Sequence, residues 1–253
     1  DYSSAGNIGG VFDIRKLTWS KEMCEALGIP IEYLPERIVK SSDIVGRVTA
    51  ESSKLCGLLE GTPVVSGGID APVAQLSAGA LEEGDHVAMV GTSTCWGTVH
   101  DGKDLPFGLV SFPYVVHDTE RIYSFGGSAT TGALAKWFKD EFADSEESVG
   151  KRTGTSPYQL LDREVEKIPA GSDGLIVLPY FMGERSPIWD PFAKGVFFGV
   201  TLVHTRAHIY KALMEGAAYA LRHNMENGIK AGLKLDDECW IVGGVAKSTV
   251  WNK

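Results

Sequence analysis

Apolar residues recur three or four positions apart in five segments of the chain, which is the spacing of amphipathic helices. Shorter segments predict helices over residues 20–27, 48–59, 131–142 and 158–168. The longest predicts a helix over residues 206–231 that ends at Gly232, with apolar positions at Ile209, Leu213, Ala217 and Leu221. The chain is therefore expected to carry its longest helix close to its last residues.

Between these segments, short apolar runs bounded by glycine, proline and aspartate predict strands. They lie at residues 63–66, 87–90, 98–99, 109–112, 121–125, 174–179 and 239–242. The four runs from 87 to 125 predict a meander that opens a second domain. The uninterrupted apolar run at 174–179 predicts a buried strand.

Four of the predicted strands lead directly into glycine turns, more often than random loops would offer. The turns lie at residues 67–70, 91–94, 125–128 and 243–248. Paired glycines let the backbone turn sharply and approach a ligand closely. None of the four has the spacing Gly-x-x-x-x-Gly-Lys-Ser/Thr or Gly-x-Gly-x-x-Gly, so neither phosphate-loop motif in common use is present.

The first turn places Asp70 at the carboxyl end of a strand, with Pro72 expected at the first position of the next helix. Ligands bind outside the carboxyl ends of strands in open α/β sheets, and an aspartate there can accept a hydroxyl proton. Alternatively, Asp70 only caps the helix that opens at Ala71. The residues alone leave both interpretations open.

The second turn has three consecutive hydroxyl residues at 92–94. Backbone N–H groups in such a turn form a concave site for phosphate oxygens, although the same sequence is also typical of an ordinary turn. The third turn, Gly126 and Gly127 followed by a helix from Thr131, is of the same type.

Composition excludes several classes of protein. Acidic residues outnumber basic ones by 33 to 24, and the formal net charge is -9, so no general attraction to nucleic acid or anionic membrane is expected. No apolar run approaches the roughly 20 residues that span a bilayer. Hydrophobic residues make up 43% of the chain, enough for a substantial core.

The four cysteines are scattered, without a Cys-x-x-Cys pair, so a reducing compartment, the cytoplasm, is expected. The chain begins at Asp1 without methionine and stops at Lys253, shortly after a strand and a glycine loop. Both ends are expected to be truncations of a longer polypeptide chain.

Taken in order along the chain, these motifs resemble those of the FGGY carbohydrate kinases. That family of ATP-dependent sugar kinases includes xylulokinase, gluconokinase, ribulokinase and glycerol kinase. The segment from Gly195 to Gly216 looks like the family's C-terminal signature. The resemblance covers essentially the whole chain and is carried by residues 1–5, 67–70, 91–94, 126–127, 183–191, 195–216 and 243–248.

The resemblance implies an actin-like ATPase (ribonuclease H-like) α/β fold, with two domains around a cleft and the first domain incomplete. Residues 1–84 correspond to the C-terminal part of the sugar-binding N-terminal domain, and residues 85–253 to most of the ATP-binding C-terminal domain. The Asp-x-Gly-Thr phosphate hairpin with which family members begin is absent. The fragment alone is therefore expected to be inactive or nearly so.

Site residues follow from the same resemblance. Asp70 matches the catalytic base, which takes the proton of the sugar hydroxyl as that oxygen attacks the γ-phosphate of ATP. Mg2+ is expected with the nucleotide, and no metal ligand can be named in this chain. The nucleotide-binding set comprises Gly91, Thr92 and Ser93 beside the phosphates, Gly126 and Gly127 in a contacting turn, and Gly243, Gly244, Ala246, Lys247 and Ser248 on the adenosine side.

The sugar is less closely defined. The run at 183–191 favours xylulokinases and gluconokinases, whereas Gly-Thr-Ser-Thr-Cys at 91–95 also occurs in ribulokinase-like sequences. A ketopentose such as xylulose is the first expectation and gluconate the second. A non-catalytic ATP-binding regulator of the actin and heat-shock superfamily is the alternative from another class. Neither a nucleic acid nor a membrane partner is expected, and a homodimer is one assembly that the family allows.

Three other features have an ordinary structural interpretation as well as a functional one. His204 and His208 share a helix face, which favours helix capping or packing over a metal site because no third ligand can be placed. Glu184 and Arg185 are expected either to brace their loop as a buried ion pair or to contact a ligand. Cys95 lacks the pattern of a nucleophile and is expected to pack as a small side chain.

Overall fold

A computed structural model describes residues 1–103 and 105–253 of the protein. Helix α2 begins after Ser20, whose hydroxyl caps it, and ends at Gly28 in a left-handed conformation. The α-helices of this part of the chain are α1 (Tyr2–Gly6), α2 (Lys21–Leu27), α3 (Ala50–Cys56), α4 (Asp70–Ser77), α5 (Gly132–Phe142), α6 (Asp144–Thr153), α7 (Pro157–Val165) and α8 (Arg206–Lys230).

The strands form one five-stranded sheet and three two-stranded sheets. The small sheets are β1 with β2, β3 with β4, and β9 with β10, all antiparallel. In chain order the strands are β1 (Phe12–Asp13), β2 (Thr18–Trp19), β3 (Ile44–Arg47), β4 (Pro63–Val65), β5 (His86–Val90), β6 (Thr94–His100), β7 (Val110–Pro113), β8 (Ile122–Gly126), β9 (Ile176–Leu178), β10 (Val196–Phe198) and β11 (Cys239–Gly243).

The five-stranded sheet has the order β11-β5-β6-β8-β7 and is mixed, because β11 is parallel to β5 and the other pairs are antiparallel. The predicted meander is therefore wrong, since β8 lies between β6 and β7. Gly97 of β6 explains the pairing, because a side chain there would overlap the ring of Tyr123 on β8. The glycine leaves the space that this buried ring fills, and β8 thus fits beside β6.

Two apolar clusters hold the elements that concern the site. On one side, α5, α7 and α8 bury a cluster that includes Leu134, Phe138 and Leu213. On the sheet itself, Val87, Phe112 and Tyr123 form a second cluster, against which Ile69 and Leu76 of the first part of the chain pack. The element that begins at Asp70 is therefore docked directly on the five-stranded sheet.

The strand at 174–179 differs from its prediction. It forms over Ile176–Leu178, where Val177 is buried but Ile176 and Leu178 are 49% and 41% exposed. The cause is its position in a two-stranded sheet with only one covered face: α8 packs so closely that a Cβ at Gly216 would lie 2.6 Å from the carbonyl oxygen of Val177. The prediction of a buried strand is therefore wrong.

The predicted helices at 20–27, 131–142, 158–168 and 206–231 are confirmed within a few residues, and the helix at 48–59 is shorter. Helix α6 was not predicted, because its sequence Asp-Ser-Glu-Glu-Ser-Val-Gly-Lys-Arg-Thr is almost entirely polar. Within the described residues, no helix has the combination of length and apolar character needed to cross a membrane.

Candidate active site

Asp70 is the first residue of α4, and Ile69 is the N-cap. The proposal that Pro72 opens the helix is wrong, because the helix has already begun two residues earlier. The Oδ1 atom of Asp70 accepts a hydrogen bond from the N–H of Ala71 at 2.7 Å. Its Oδ2 has no hydrogen-bond partner among the described residues, and the side chain is exposed. Asp70 thus offers an unoccupied acceptor oxygen to solvent at the start of a short helix.

The turn before Asp70 is held by hydroxyl groups from two distant segments. The N–H of Ile69 donates to Ser3 Oγ at 3.1 Å, and the hydroxyls of Ser3 and Ser41 both donate to Asp1 Oδ2, at 2.6 and 2.8 Å. A Cβ at Gly68 would lie 3.3 Å from both serine oxygens and would overlap the side chain of Val115, just after β7. Only glycine therefore lets this turn approach the hydroxyl cluster.

Gln75, one residue more than a turn beyond Asp70, fixes α4 to the sheet. Its side-chain amide is fully buried and donates to the carbonyl oxygens of Gly97 at 2.9 Å and of Val87 at 3.1 Å, on adjacent strands. It also lies 3.4 Å from the hydroxyl of Tyr123. The helix that carries Asp70 is thereby registered against β5 and β6, the hairpin that holds residues 91–93.

Gln75→Leu is expected to lower the free energy of unfolding by about 1–3 kcal/mol, because two buried carbonyl oxygens lose a donor. Gln159→Leu is the matched control, since Gln159 lies on α7 with an exposed side chain. Thermal unfolding of the full-length variants measures the difference. Equal midpoints for the two variants would show that the amide of Gln75 does not hold α4 in place.

Residues 91–93 connect β5 to β6 and present unused donors. In residues 1–103 and 105–253, no protein hydrogen bond uses the N–H or the hydroxyl of Thr92 or Ser93. The loop is nevertheless fixed, because its carbonyl oxygens are occupied: Thr131 N donates to Thr92 O and Gly132 N to Gly91 O, both at 3.0 Å. A rigid turn with two free N–H and two free O–H groups suits phosphate oxygens.

Gly126 and Gly127 lie behind this turn. Both are buried; the N–H of Gly127 donates to Ser186 Oγ at 2.6 Å, and a Cβ there would overlap the carbonyl oxygen of Thr94. Because neither glycine has a side chain, the end of β8 packs directly on the back of the turn at 91–94. The start of α5 is similarly occupied, because its first N–H groups bind the carbonyls of residues 91 and 92. A direct nucleotide contact by these two glycines stays a prediction.

The fourth turn, residues 243–248, lies beside the second because the strands that precede the two turns are neighbours in the sheet. Strand β11 pairs with β5 in parallel, with Gly243 beside Val90, so the segments after both strands leave the same edge. Gly243 has φ 106°, and residues 245–247 form a single 3-10 turn whose Val245 packs against Val90 and Trp96. The glycine turn therefore bends over the end of β5.

A cavity of about 730 Å³ opens between these two turns and the helices α5 and α7. Of the predicted nucleotide-binding residues, Gly91, Thr92, Gly244, Lys247 and Ser248 line it. Ser93, Gly126, Gly127, Gly243 and Ala246 do not line it, and Asp70 lies outside it. The structure thus brings the second and fourth turns together at one cavity.

The walls of the cavity were missed by the sequence interpretation. They come from helix positions without a glycine signal, namely Lys136, Trp137, Asp140, Tyr158 and Asp162, together with Trp251. Asp162 accepts a hydrogen bond from Ser248 Oγ at 2.8 Å, and burial raises its pKa despite that bond. Among them only Trp251 carried a signal, because a tryptophan beside a glycine turn suits either a nucleotide cleft or a core, whereas Trp137 on its helix favours a core.

Cys95 follows the turn on β6. Burial raises the pKa of its thiol and the nearby charge of Asp70 adds to this, whereas the Tyr123 hydroxyl and the charge of Arg185 lower it. The net effect disfavours the thiolate, the reactive form. This agrees with the interpretation of Cys95 as a packing residue.

His204 and His208 are engaged in local structure. His208 Nδ1 pairs with the backbone N–H of Thr205 at 3.1 Å, and its Nε2 lies 3.1 Å from Asp173 Oδ2, which closes the start of α8. His204 pairs with Thr201 in the same way. Helix capping is the role that these contacts define for His208, whereas His204 closes the turn before α8.

The chain matches family models along most of its length. Residues 1–77 match the N-terminal domain, and residues 86–253 the C-terminal domain, of the FGGY family of carbohydrate kinases. The protein therefore belongs to this family. Its boundaries at 1–84 and 85–253 stay a prediction.

Two curated proteins and one crystal structure show the closeness of the likeness. Gluconokinase of Bacillus licheniformis is 31% identical over 100% of this chain and 49% of its own length. Xylulose kinase of Bacillus subtilis (strain 168) is 32% identical over 99% of this chain and 48% of its own. The crystal structure of xylulose kinase from Rhodospirillum rubrum matches with a TM-score of 0.82 and 29% identity, over 96% of this chain and 47% of that one.

The chain spans about half the length of the relatives it matches. The predicted fold class is confirmed by these likenesses: the protein has the actin-like α/β fold of FGGY kinases, here with a mixed five-stranded sheet.

Proposed function

We propose that the protein is an ATP-dependent sugar kinase that transfers the γ-phosphate of ATP to a hydroxyl of a small carbohydrate. The observation that carries the proposal is the turn at Thr92 and Ser93, whose donors are unused at the rim of a nucleoside-sized cavity. Asp70, on a helix docked against the same hairpin, supplies the exposed carboxylate that a hydroxyl acceptor requires.

Each part has one task in this mechanism. The cavity between α5, α7 and residues 244–248 holds the adenosine, and Thr92 and Ser93 bind phosphate oxygens. Asp70 takes the proton of the sugar hydroxyl while that oxygen attacks phosphorus, and ADP leaves in line. Closure of the two domains would exclude water, so that the sugar and not water receives the phosphate.

Mg2+ is the ion that neutralises β- and γ-phosphate charge in such reactions. Across residues 1–103 and 105–253, no three His, Cys, Asp or Glu side chains are grouped as a metal site. Mg2+ is usually bound through one or two carboxylates and the substrate phosphates, and no residue of this chain is assigned to it.

For the acceptor, the proposal is a ketopentose such as xylulose, with gluconate as the second candidate. The two relatives described above carry the names of kinases for these two sugars, at nearly equal identity. A non-catalytic ATP-binding regulator is the alternative function. The exposed, unoccupied oxygen of Asp70 favours the kinase, because a regulator has no need of a hydroxyl-directed base. A cytoplasmic location and a homodimer stay predictions.

The test is ADP production by the full-length protein with Mg-ATP across ketopentoses, ketohexoses, aldonates, polyols and glycerol. One sugar is expected to raise the rate at least tenfold over the rate without sugar. ATP binding with no sugar-dependent ADP production, for any member of the panel, would contradict the kinase and support the regulator.

A further inference from the structure

The loop that contains Arg185 is rigid and lies against the rear of the turn at 91–94. The N–H of Glu184 donates to the carbonyl oxygen of Asp190 at 2.8 Å, and the N–H of Trp189 donates to that of Arg185 at 2.6 Å. The indole N–H of Trp189 also donates to Gly108 O, at 2.7 Å. The loop is thus stabilised by its own backbone hydrogen bonds and is joined to the segment just before β7.

Glu184 does not neutralise Arg185. Its carboxylate, 6% exposed as a residue, accepts hydrogen bonds from Ser128 Oγ and Ala129 N, both at 2.8 Å, and from the backbone N–H of Arg185 at 2.7 Å. The expected buried ion pair between the two side chains is therefore wrong. Glu184 instead braces the glycine turn at the end of β8.

The guanidinium of Arg185 is left exposed and without an acidic partner in the part of the chain that the structure describes. A surface arginine needs no partner, but this one is carried by an immobilised loop. Its neighbour Ser186 accepts the N–H of Gly127, and Gly127 packs on the backbone of Thr94 and Cys95. The backbone that carries the cation is therefore fixed close to the end of the turn with the unused donors.

Asp70 lies in the same region, on a helix that Gln75 fixes to β5 and β6. The thiol of Cys95 experiences the charges of both Arg185 and Asp70. Cys95 directly follows Thr94, so a carboxylate and a guanidinium both lie near the residue that ends the turn. A phosphoryl group held by Thr92 and Ser93 and moving toward an acceptor beside Asp70 would enter this space.

We infer that Arg185 is a further catalytic residue of the proposed kinase, whose guanidinium binds the oxygens of the phosphoryl group while it passes from ATP to the sugar. The inference rests on the proposed function. In the step, a bond forms between the sugar oxygen and the γ-phosphorus, and the bond from phosphorus to the β–γ bridging oxygen breaks. The leaving ADP keeps that electron pair, the hydroxyl proton goes to Asp70, and Arg185 stays protonated throughout.

A guanidinium suits this position because the phosphoryl oxygens carry the charge of the transition state and a planar fork can bind two of them. A lysine would supply charge without the fork. A contact with the sugar alone would affect substrate binding and not the rate of the bound complex. These differences separate a transfer role from an acceptor-binding role.

The test compares Arg185→Met and Arg185→Lys in the full-length protein, with the sugar that the panel identifies. Arg185→Met is expected to lower kcat by about 10²–10³-fold, the usual cost of losing one preorganised transition-state donor. The KM for sugar and the Kd for ADP are expected to stay within about threefold of the parent values. Arg185→Lys should recover part of the lost rate, because it restores the charge.

A second readout avoids turnover: binding of ADP with aluminium fluoride in the presence of the sugar, which mimics the phosphoryl group in transfer. Arg185→Met is expected to lose the gain in affinity that aluminium fluoride gives over ADP alone. The control is Arg222→Met, an exposed arginine on α8 that pairs with Glu226 at 2.8 Å and should leave all values unchanged.

Three outcomes would overturn the inference: a kcat within threefold of the parent, a loss confined to the KM for sugar, or an undiminished aluminium fluoride effect. Arg185 makes no side-chain hydrogen bond, so both variants should fold. If Arg185→Met does not fold, the kcat and the aluminium fluoride effect of Arg185→Lys test the inference. A parent protein without sugar-dependent ADP production would instead refute the proposed function, and this inference with it.

Discussion

Asp70→Asn is expected to lower kcat for sugar phosphorylation by about 10²–10⁴-fold, the usual contribution of a general base. The amide keeps the shape of the side chain, and its oxygen can still accept the N–H of Ala71, so α4 should start at the same residue. The proton of the sugar hydroxyl, however, has lost its acceptor. The Kd for ADP should be unchanged, because Asp70 lies outside the cavity.

Asp144→Asn is the matched control for that variant. Asp144 is likewise an exposed first residue of a helix whose N-cap residue has no side-chain cap, but it belongs to α6. Steady-state kinetics and ADP titration on both variants separate the role of the base from the effect of one charge near a helix start. Sugar phosphorylation at near the parent rate in Asp70→Asn would remove Asp70 from the mechanism.

The positions of Asp70 and of the glycine turns could be predicted from the sequence because their signals are local. A short apolar run ends, two glycines follow, and the next polar side chain must leave at the strand end. The order of strands in the sheet is not a local property. Whether β7 or β8 lies beside β6 depends on the space above Gly97, which no periodicity reveals.

The cavity walls escaped prediction for a related reason. Asp140 and Asp162 are typical solvent-facing residues of amphipathic helices, and only the packing of α5, α7 and α8 decides which of them border a cavity. Gln75 is similar: a single polar residue in an apolar helix face gives no sign that it binds two strands. Such residues become visible only when their partners, distant in the chain, are in place.

Gly243 and Gly244 are adjacent glycines from which opposite results are expected. Gly243 has φ 106°, which side chains rarely adopt, and its Cβ would overlap the carbonyl oxygen of Val90. Gly243→Ala is therefore expected to lower the free energy of unfolding by about 3 kcal/mol, combining backbone strain with displacement of β11 from β5. Thermal unfolding of the full-length variant should show a midpoint lower by about 5 °C or more.

Gly244 has φ −63° and ψ −38°, and a Cβ there meets no atom within 4 Å. Gly244→Ala should therefore leave the unfolding midpoint within about 1 °C of the parent, or raise it slightly, because alanine reduces the freedom of the unfolded chain. Gly244 lines the cavity, however, so a methyl group there would take space that the proposed adenosine occupies. The Kd for ADP is expected to rise about fivefold or more, at about 1 kcal/mol of lost binding.

Calorimetric titration with ADP and thermal unfolding on the same two variants separate the two roles. Loss of ADP affinity without loss of stability in Gly244→Ala would place the nucleoside at residues 244–248. Unchanged ADP affinity in that variant would mean that the nucleoside does not contact this turn, although Gly243→Ala could still be unstable. The pair thus distinguishes a glycine needed for the fold from one needed for the ligand.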